Sequence, residues 1–180
     1  MSAQADGPLP VSKATSSPVR VRVIGLLTAL ATFFLDQANK LWLIFDYGIA
    51  THQPIHLAPF FDVIFLKNPG ISYSLLTASS AFGRWALLAI ALVATACLIL
   101  WLWRTRLMLT GFGLGLIIGG AVGNAADRLA YGYVADFYHF HVGSFSWYVF
   151  NLADVAICIG VGLLVLEGLT EKPRANDAVE

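Results

Sequence analysis

Two stretches of this chain, residues 85–103 and 107–126, run without a charged residue, the first between Arg84 and Arg104, the second between Arg106 and Asp127. A hydrocarbon core about 30 Å thick takes roughly 20 apolar residues as helix, and only helices or closed barrels satisfy their backbone hydrogen bonds in lipid. Each stretch therefore reads as a membrane span. A third, residues 147–169, carries one charge, Asp154, in its first twenty residues. A fourth, residues 23–45, is apolar to Leu35, is interrupted by Asp36 and Lys40, and resumes at residues 41–45. Composition agrees: 58% of the 180 residues are hydrophobic and 12% charged, against about 25% charged in a soluble domain. That excludes an ordinary soluble globular protein and a disordered chain. Eleven basic and eleven acidic residues cancel, so no global field attracts nucleic acid, and no nucleic-acid partner is expected.

The first stretch has a rival reading as a cleaved secretory signal, with Arg20 and Arg22 as its basic flank. No small-residue cleavage site follows the apolar core; Phe34-Leu35-Asp36-Gln37 stands there instead. With four spans both termini share one side. That side holds Lys13, Arg20, Arg22, Arg104, Arg106, Lys172 and Arg174, against Lys40, Lys67, Arg84 and Arg128 on the other. The excess of basic residues places the termini in the cytoplasm. Residues 1–22 then form a disordered cytoplasmic tail, residues 23–169 the membrane domain, and residues 170–180 a second tail. Loops 46–83 and 127–146 face outward.

The fold class expected is thus an all-α integral membrane protein, four transmembrane helices with a small extracytoplasmic β-sheet and loop region. The sheet is suggested by two β-prone runs, residues 60–66 and 71–76, around Asn68-Pro69-Gly70, and by a third run at residues 133–142. No internal repeat supports an inverted-repeat transporter. Gly111, Gly113, Gly115, Gly119 and Gly120 lie inside a span, where small residues let helices approach closely. Cys97 and Cys158 read as small core residues without a disulfide.

Ionisable groups in a bilayer are costly and mark functional sites by default. Asp36 and Lys40 share a helix face at i,i+4. Asn124, Asp127 and Arg128 share another; Asn151 and Asp154 are i,i+3; Asp136 lies between these groups. All fall at one membrane face. Each has a plain structural alternative: an ion pair fixing register, an arginine reaching headgroups, asparagines bonding between helices. Asp154 is the hardest to explain that way, having no cation within one turn. Two acids held together share a proton, one acting as general base toward water and the other as acid toward a carbonyl. His139 and His141 invite a metal reading with Asp136, but no third ligand has recognisable spacing, and no metal is expected. No Gly-x-Ser-x-Gly elbow is present.

The stretches Asp36-Gln37-Ala38-Asn39-Lys40, Asn68-Pro69-Gly70 and Gly119-Gly120-Ala121-Val122-Gly123-Asn124-Ala125-Ala126-Asp127-Arg128 strongly resemble the bacterial lipoprotein signal peptidases, signal peptidase II. The likeness continues through Gly132-Tyr133-Val134-Ala135-Asp136-Phe137 and Phe150-Asn151-Leu152-Ala153-Asp154-Val155-Ala156-Ile157. The resemblance implies an aspartic endopeptidase of the bacterial inner membrane that removes signal peptides from diacylglyceryl-modified prolipoproteins, cutting just before the lipidated cysteine. It implies Asp136 and Asp154 as the catalytic pair and Asn68, Asn124, Arg128 and Asn151 as substrate-binding residues. Asp36, Lys40 and Asp127 would support them. It also implies prolipoproteins, membrane lipids and globomycin-type inhibitors as partners, no metal or organic cofactor, and a site toward the periplasmic face. The sequence departs from the family pattern at Ile71-Ser72-Tyr73 and at Trp147-Tyr148. Two other classes fit the charges less well. A proton-coupled carrier would need polar residues across the full span, and a non-catalytic scaffold would use the carboxylates only structurally.

Overall fold

In the computed structural model, which describes residues 16–70 and 81–170, helix α1 covers Pro18–Leu41. A proline at its first position sits where the missing N–H costs no intrahelical bond. The helix continues through a wide π-helical turn, Trp42–Asp46, in which the Tyr47 N–H donates to the Trp42 carbonyl at 2.9 Å. A one-turn helix α2, Ile49–His52, follows. Strands β1 (Ile55–Ala58) and β2 (Phe61–Asn68) precede the long helices α3 (Ala81–Arg104) and α4 (Met108–Tyr131). Strands β3 (Val134–Val142) and β4 (Phe145–Ser146) lead to α5, Leu152–Thr170. Among the described residues, α1 with its π turn, α3, α4 and α5 are the four helices long and apolar enough to cross a membrane.

α4 lies at the centre, packed against α1, α3 and α5. Its glycines decide how close those neighbours come. A Cβ on Gly115 would sit 2.5 Å from the Gly25 carbonyl oxygen of α1, and one on Gly120 would sit 2.6 Å from the Ala153 carbonyl oxygen of α5. The glycines therefore serve close packing, as their place in a span suggested. The outer faces are apolar and exposed, with Leu27 and Phe34 on α1, Leu92 and Val93 on α3, and Val165 and Leu169 on α5. Cys97 and Cys158 also lie on exposed faces, not in the core, and are unpaired. The error has a simple cause: in lipid the outside of a helix is as apolar as its inside, so composition does not distinguish the two.

The sheet is antiparallel, in the order β1-β2-β3-β4. The expected strand at residues 133–142 is present as β3. Its partners are β2 and β4, and β2 also pairs with β1, a strand inside the expected outer loop 46–83. The expected strand at residues 71–76, the departures at Ile71, Ser72 and Tyr73, and both chain ends lie outside the described residues. Leu43, Ile49, Val63, Ala135 and Phe137 form a small core joining the sheet to the end of α1 and to α2.

The start of α5 differs from expectation. Residues 147–151, read as the beginning of a span, are not helical; Phe150 bridges Tyr138 of β3, and the helix begins at Leu152. Aromatic and branched residues satisfy a span and a sheet edge alike, so hydropathy alone placed the boundary too early. Asp154 is consequently in the first helical turn, not two turns inside.

Candidate active site

The polar residues gather where the last turns of α1 and α4, the start of α5 and the inner end of the β2–β3 ladder meet. The first layer is ionic. Lys40 Nζ lies 2.8 Å from Asp36 Oδ2 and 2.8 Å from Asp127 Oδ2, with all three side chains nearly inaccessible. The same ammonium donates to Asn124 Oδ1 at 3.2 Å. Gln37 Nε2 donates to both Asp36 Oδ2 and Asp127 Oδ1 at 3.1 Å. Backbone donors complete the set: the Ala153 N–H reaches Asp36 Oδ1 at 3.0 Å, and the Ala135 N–H reaches Asp127 Oδ2, the oxygen that also meets Lys40, at 3.1 Å. One cation and two anions thereby tie α1, α4, α5 and β3 together. Such a buried set is strongly destabilised when one member is removed.

The second layer is built from amides. Asn151, just before α5, accepts the Asp154 N–H on its Oδ1 at 3.0 Å, while Asp154 Oδ2 accepts the Asn151 N–H at 3.1 Å. This reciprocal pair is a capping box with aspartate in the place of the usual Glu or Gln. It fixes the Asp154 carboxylate at a helix N-terminus, where a negative charge is favoured. The other end of Asn151 donates through Nδ2 to Asp136 Oδ1 at 2.7 Å and to Asn124 Oδ1 at 3.1 Å. Asn124 Nδ2 donates to Asp154 Oδ1 at 2.9 Å, and Asn68 Nδ2 donates to Asp136 Oδ2 at 2.9 Å. Asp136 and Asp154 are thus linked through the two asparagines, and among the described residues no cation is bonded to either.

Burial pushes the Asp136 carboxyl up to about 6, against the opposing effect of the Asn68 hydrogen bond and with the Asp154 charge adding to the rise. Asp136 therefore holds its proton to higher pH than an ordinary carboxyl. Arg128 donates through Nη1 to the Asn124 carbonyl at 3.1 Å, and its Nε is buried without a hydrogen-bond partner among the described residues. A cleft of about 760 Å³ opens beside Asp154 between the end of β2 (Asn68, with Pro69 and Gly70), Tyr148 and Phe150, and the Val155–Ile159 face of α5.

Every residue singled out for the site, Asp36, Lys40, Asn68, Asn124, Asp127, Arg128, Asp136, Asn151 and Asp154, lies in this network. Two participants join the network without a role expected from the sequence. Gln37 bridges the two supporting aspartates, and Asn39 Oδ1 accepts the Tyr138 hydroxyl at 3.0 Å, fastening β3 to α1. The capping role of Asn151 was legible as an Asn three residues before an Asp, but only with the helix start placed correctly. The metal reading of His139 and His141 with Asp136 does not fit the strand, because residues an odd number apart point to opposite faces.

Four apolar helices of membrane-crossing length, with a buried polar network at one end, define a multi-pass membrane protein. The same architecture occurs in solved bacterial membrane enzymes. One, determined in meso at 1.9 Å, superposes with a TM-score of 0.70 over 89% of this chain and 99% of that one at 20% identity, and a second at 2.3 Å also gives 0.70, at 21% identity. Residues 28–170 match the family Signal peptidase (SPase) II. The lipoprotein signal peptidase of Methylocella silvestris is 66% identical over 148 residues, covering 82% of this chain and 86% of that protein. That of Beijerinckia indica is 59% identical, covering 84% and 90%. The chain belongs to the signal peptidase II family and is a protease.

Proposed function

We propose that this protein is an aspartic endopeptidase that removes signal peptides from diacylglyceryl-modified prolipoproteins, with Asp136 and Asp154 as its catalytic pair. The observation that carries this reading is the amide-only environment of the two carboxylates. Asn151 caps Asp154 and holds Asp136 at 2.7 Å, and among the described residues no cation bonds to either acid. Asp154 serves as the general base, taking a proton from water. Asp136, protonated, donates a hydrogen bond to the scissile carbonyl as water adds. The tetrahedral intermediate collapses when the leaving nitrogen takes a proton from the pair, and the C–N bond breaks. No metal enters these steps.

Substrate lies along the cleft with its acyl chains left in lipid, since Val155, Cys158 and Ile159 continue the cleft wall onto the apolar face of α5. The free Arg128 Nε is suited to a substrate backbone carbonyl, and Asn68 and Asn124 border the same space. Globomycin-type peptides would occupy it as inhibitors. The site faces the periplasm and the termini face the cytoplasm of an inner-membrane protein. This is supported by the opposite placement of Arg22, which donates to the Trp103 carbonyl at 2.8 Å at the far end of the helices.

The test is cleavage of a diacylglyceryl-modified prolipoprotein by purified protein in detergent with no metal added, alongside Asp136→Asn and Asp154→Asn. Wild-type cleavage with loss in both folded variants is expected. A wild type that needs added metal, or a variant that cuts normally, would overturn the assignment.

A further inference from the structure

Beyond the peptidase site, three of the chain's four histidines meet one aspartate on the sheet. The register makes this row: His56 of β1 pairs with Asp62 of β2, and Asp62 pairs with His139 of β3. Directly paired residues share a face, and His141 follows His139 on that face two residues along. His56 Nδ1 lies 2.7 Å from Asp62 Oδ1, His141 Nε2 lies 3.0 Å from Asp62 Oδ2, and His139 Nε2 lies 2.8 Å from the Ser146 hydroxyl. The imidazoles of His139 and His141 stack with centroids 5.2 Å apart. One ligand atom from each of Asp62, His139 and His141 falls within 4.8 Å of the others.

We propose that Asp62, His139 and His141 form a binding site for a divalent transition metal of the Zn²⁺ type, with His56 holding the second oxygen of the Asp62 carboxylate. Two imidazoles and a carboxylate are a donor set such ions accept, at about 2.0–2.2 Å from each ligand, with water completing a tetrahedron. Side-chain rotation of the half-buried histidines closes the remaining gap, and His139 exchanges its Ser146 bond for the metal. The His56 contact at 2.7 Å fixes the orientation of the Asp62 carboxyl and leaves its other oxygen toward His141. An outer partner on a ligating carboxylate is the usual support of such sites. The consequence is mechanical. The metal pins β2 to β3 six residues before Asn68 and three after Asp136, fastening the far end of the ladder that carries both. The site lies on the strand face opposite Asp136, and cleavage chemistry does not pass through it.

The experiment uses the full-length, untagged protein in detergent, stripped with chelator and titrated with ZnCl₂ by calorimetry. Metal content is then read after gel filtration, with MgCl₂ as the control ion. The expected result is one Zn²⁺ per chain and a raised melting temperature. The double variant His139→Ala/His141→Ala should lose about 100-fold or more in affinity. His52→Ala, whose imidazole contacts the Gly48 carbonyl instead, should bind as the wild type does. Less than one Zn²⁺ per wild-type chain, binding unchanged in the double variant, or equal loss in His52→Ala would each overturn the proposal. The wild-type titration decides even if a variant fails to fold.

Discussion

The protein contains two pairs of aspartates within one connected network, and they are solvated in opposite ways. Asp36 and Asp127 share a lysine and take backbone and Gln37 donors besides. Among the described residues, Asp136 and Asp154 are bonded only to amides, from Asn68, Asn124 and Asn151. A fixed cation settles the charge on a carboxylate and takes it out of proton chemistry. Neutral amides orient a carboxylate and leave its proton free to move. The same side chain is therefore a structural anchor in one pair and a reactive group in the other, and the partner decides which.

The sharpest break of this comparison is to neutralise each pair in turn. Asp136→Asn and Asp154→Asn should lower cleavage of a prolipoprotein by about 10³-fold or more while leaving the melting temperature within a few degrees. Asp36→Asn and Asp127→Asn should do the reverse, losing folded protein first. Equal thermal loss in all four would erase the distinction. Lys40→Met leaves two buried carboxylates without their cation and should cost about 3–5 kcal/mol, seen as poor recovery and a lower melting temperature in detergent. A smaller loss, about 1–3 kcal/mol, is expected from Gly123→Ala, because its new Cβ would stand 2.7 Å from Asp36 Oδ2; melting of the purified variant measures it.

The smallest effect is on pH dependence. Asp136 must hold its proton, and its carboxyl sits at about 6, so kcat/KM should fall as pH rises through that value. The Asn68 hydrogen bond favours the ionised form of Asp136. Asn68→Ala should therefore move the alkaline limb to higher pH, and a limb that stays in place would detach Asn68 from the dyad.

Much of this was readable before any coordinates, and the reasons differ by residue. Asp36 and Lys40, or Asn124, Asp127 and Arg128, are local: helical spacing puts each group on one face, and apolar surroundings make the charges conspicuous. That Lys40 would serve both Asp36 and Asp127 is a contact between helices and carries no local signature. Asp154 was identified, but its setting was not. Trp147–Phe150 is as apolar as a span, and its pairing with β3 depends on residues far along the chain. β1 was missed because it is short and follows Pro54, a residue that weakens a strand reading. The Asp62 cluster was hidden for the same reason. The sequence shows His139 and His141 two apart, but their acidic neighbour comes from the strand across the ladder, not from nearby Asp136.

The wide turn at Trp42–Asp46 has a consequence for how the two halves of the site are aimed. Before it, α1 presents Gln37 and Lys40 to Asp127 of α4; within and beyond it, Leu43 and Ile49 pack with the sheet. Each α-helical residue advances about 100° around the axis, and a five-residue hydrogen-bonded loop takes in one residue more than an α turn. That residue re-phases the chain, so the ion-pair face and the sheet-facing side need not obey a single helical period. The angular offset between Lys40 and the strands bearing Asn68 and Asp136 is thus written into the backbone winding of α1.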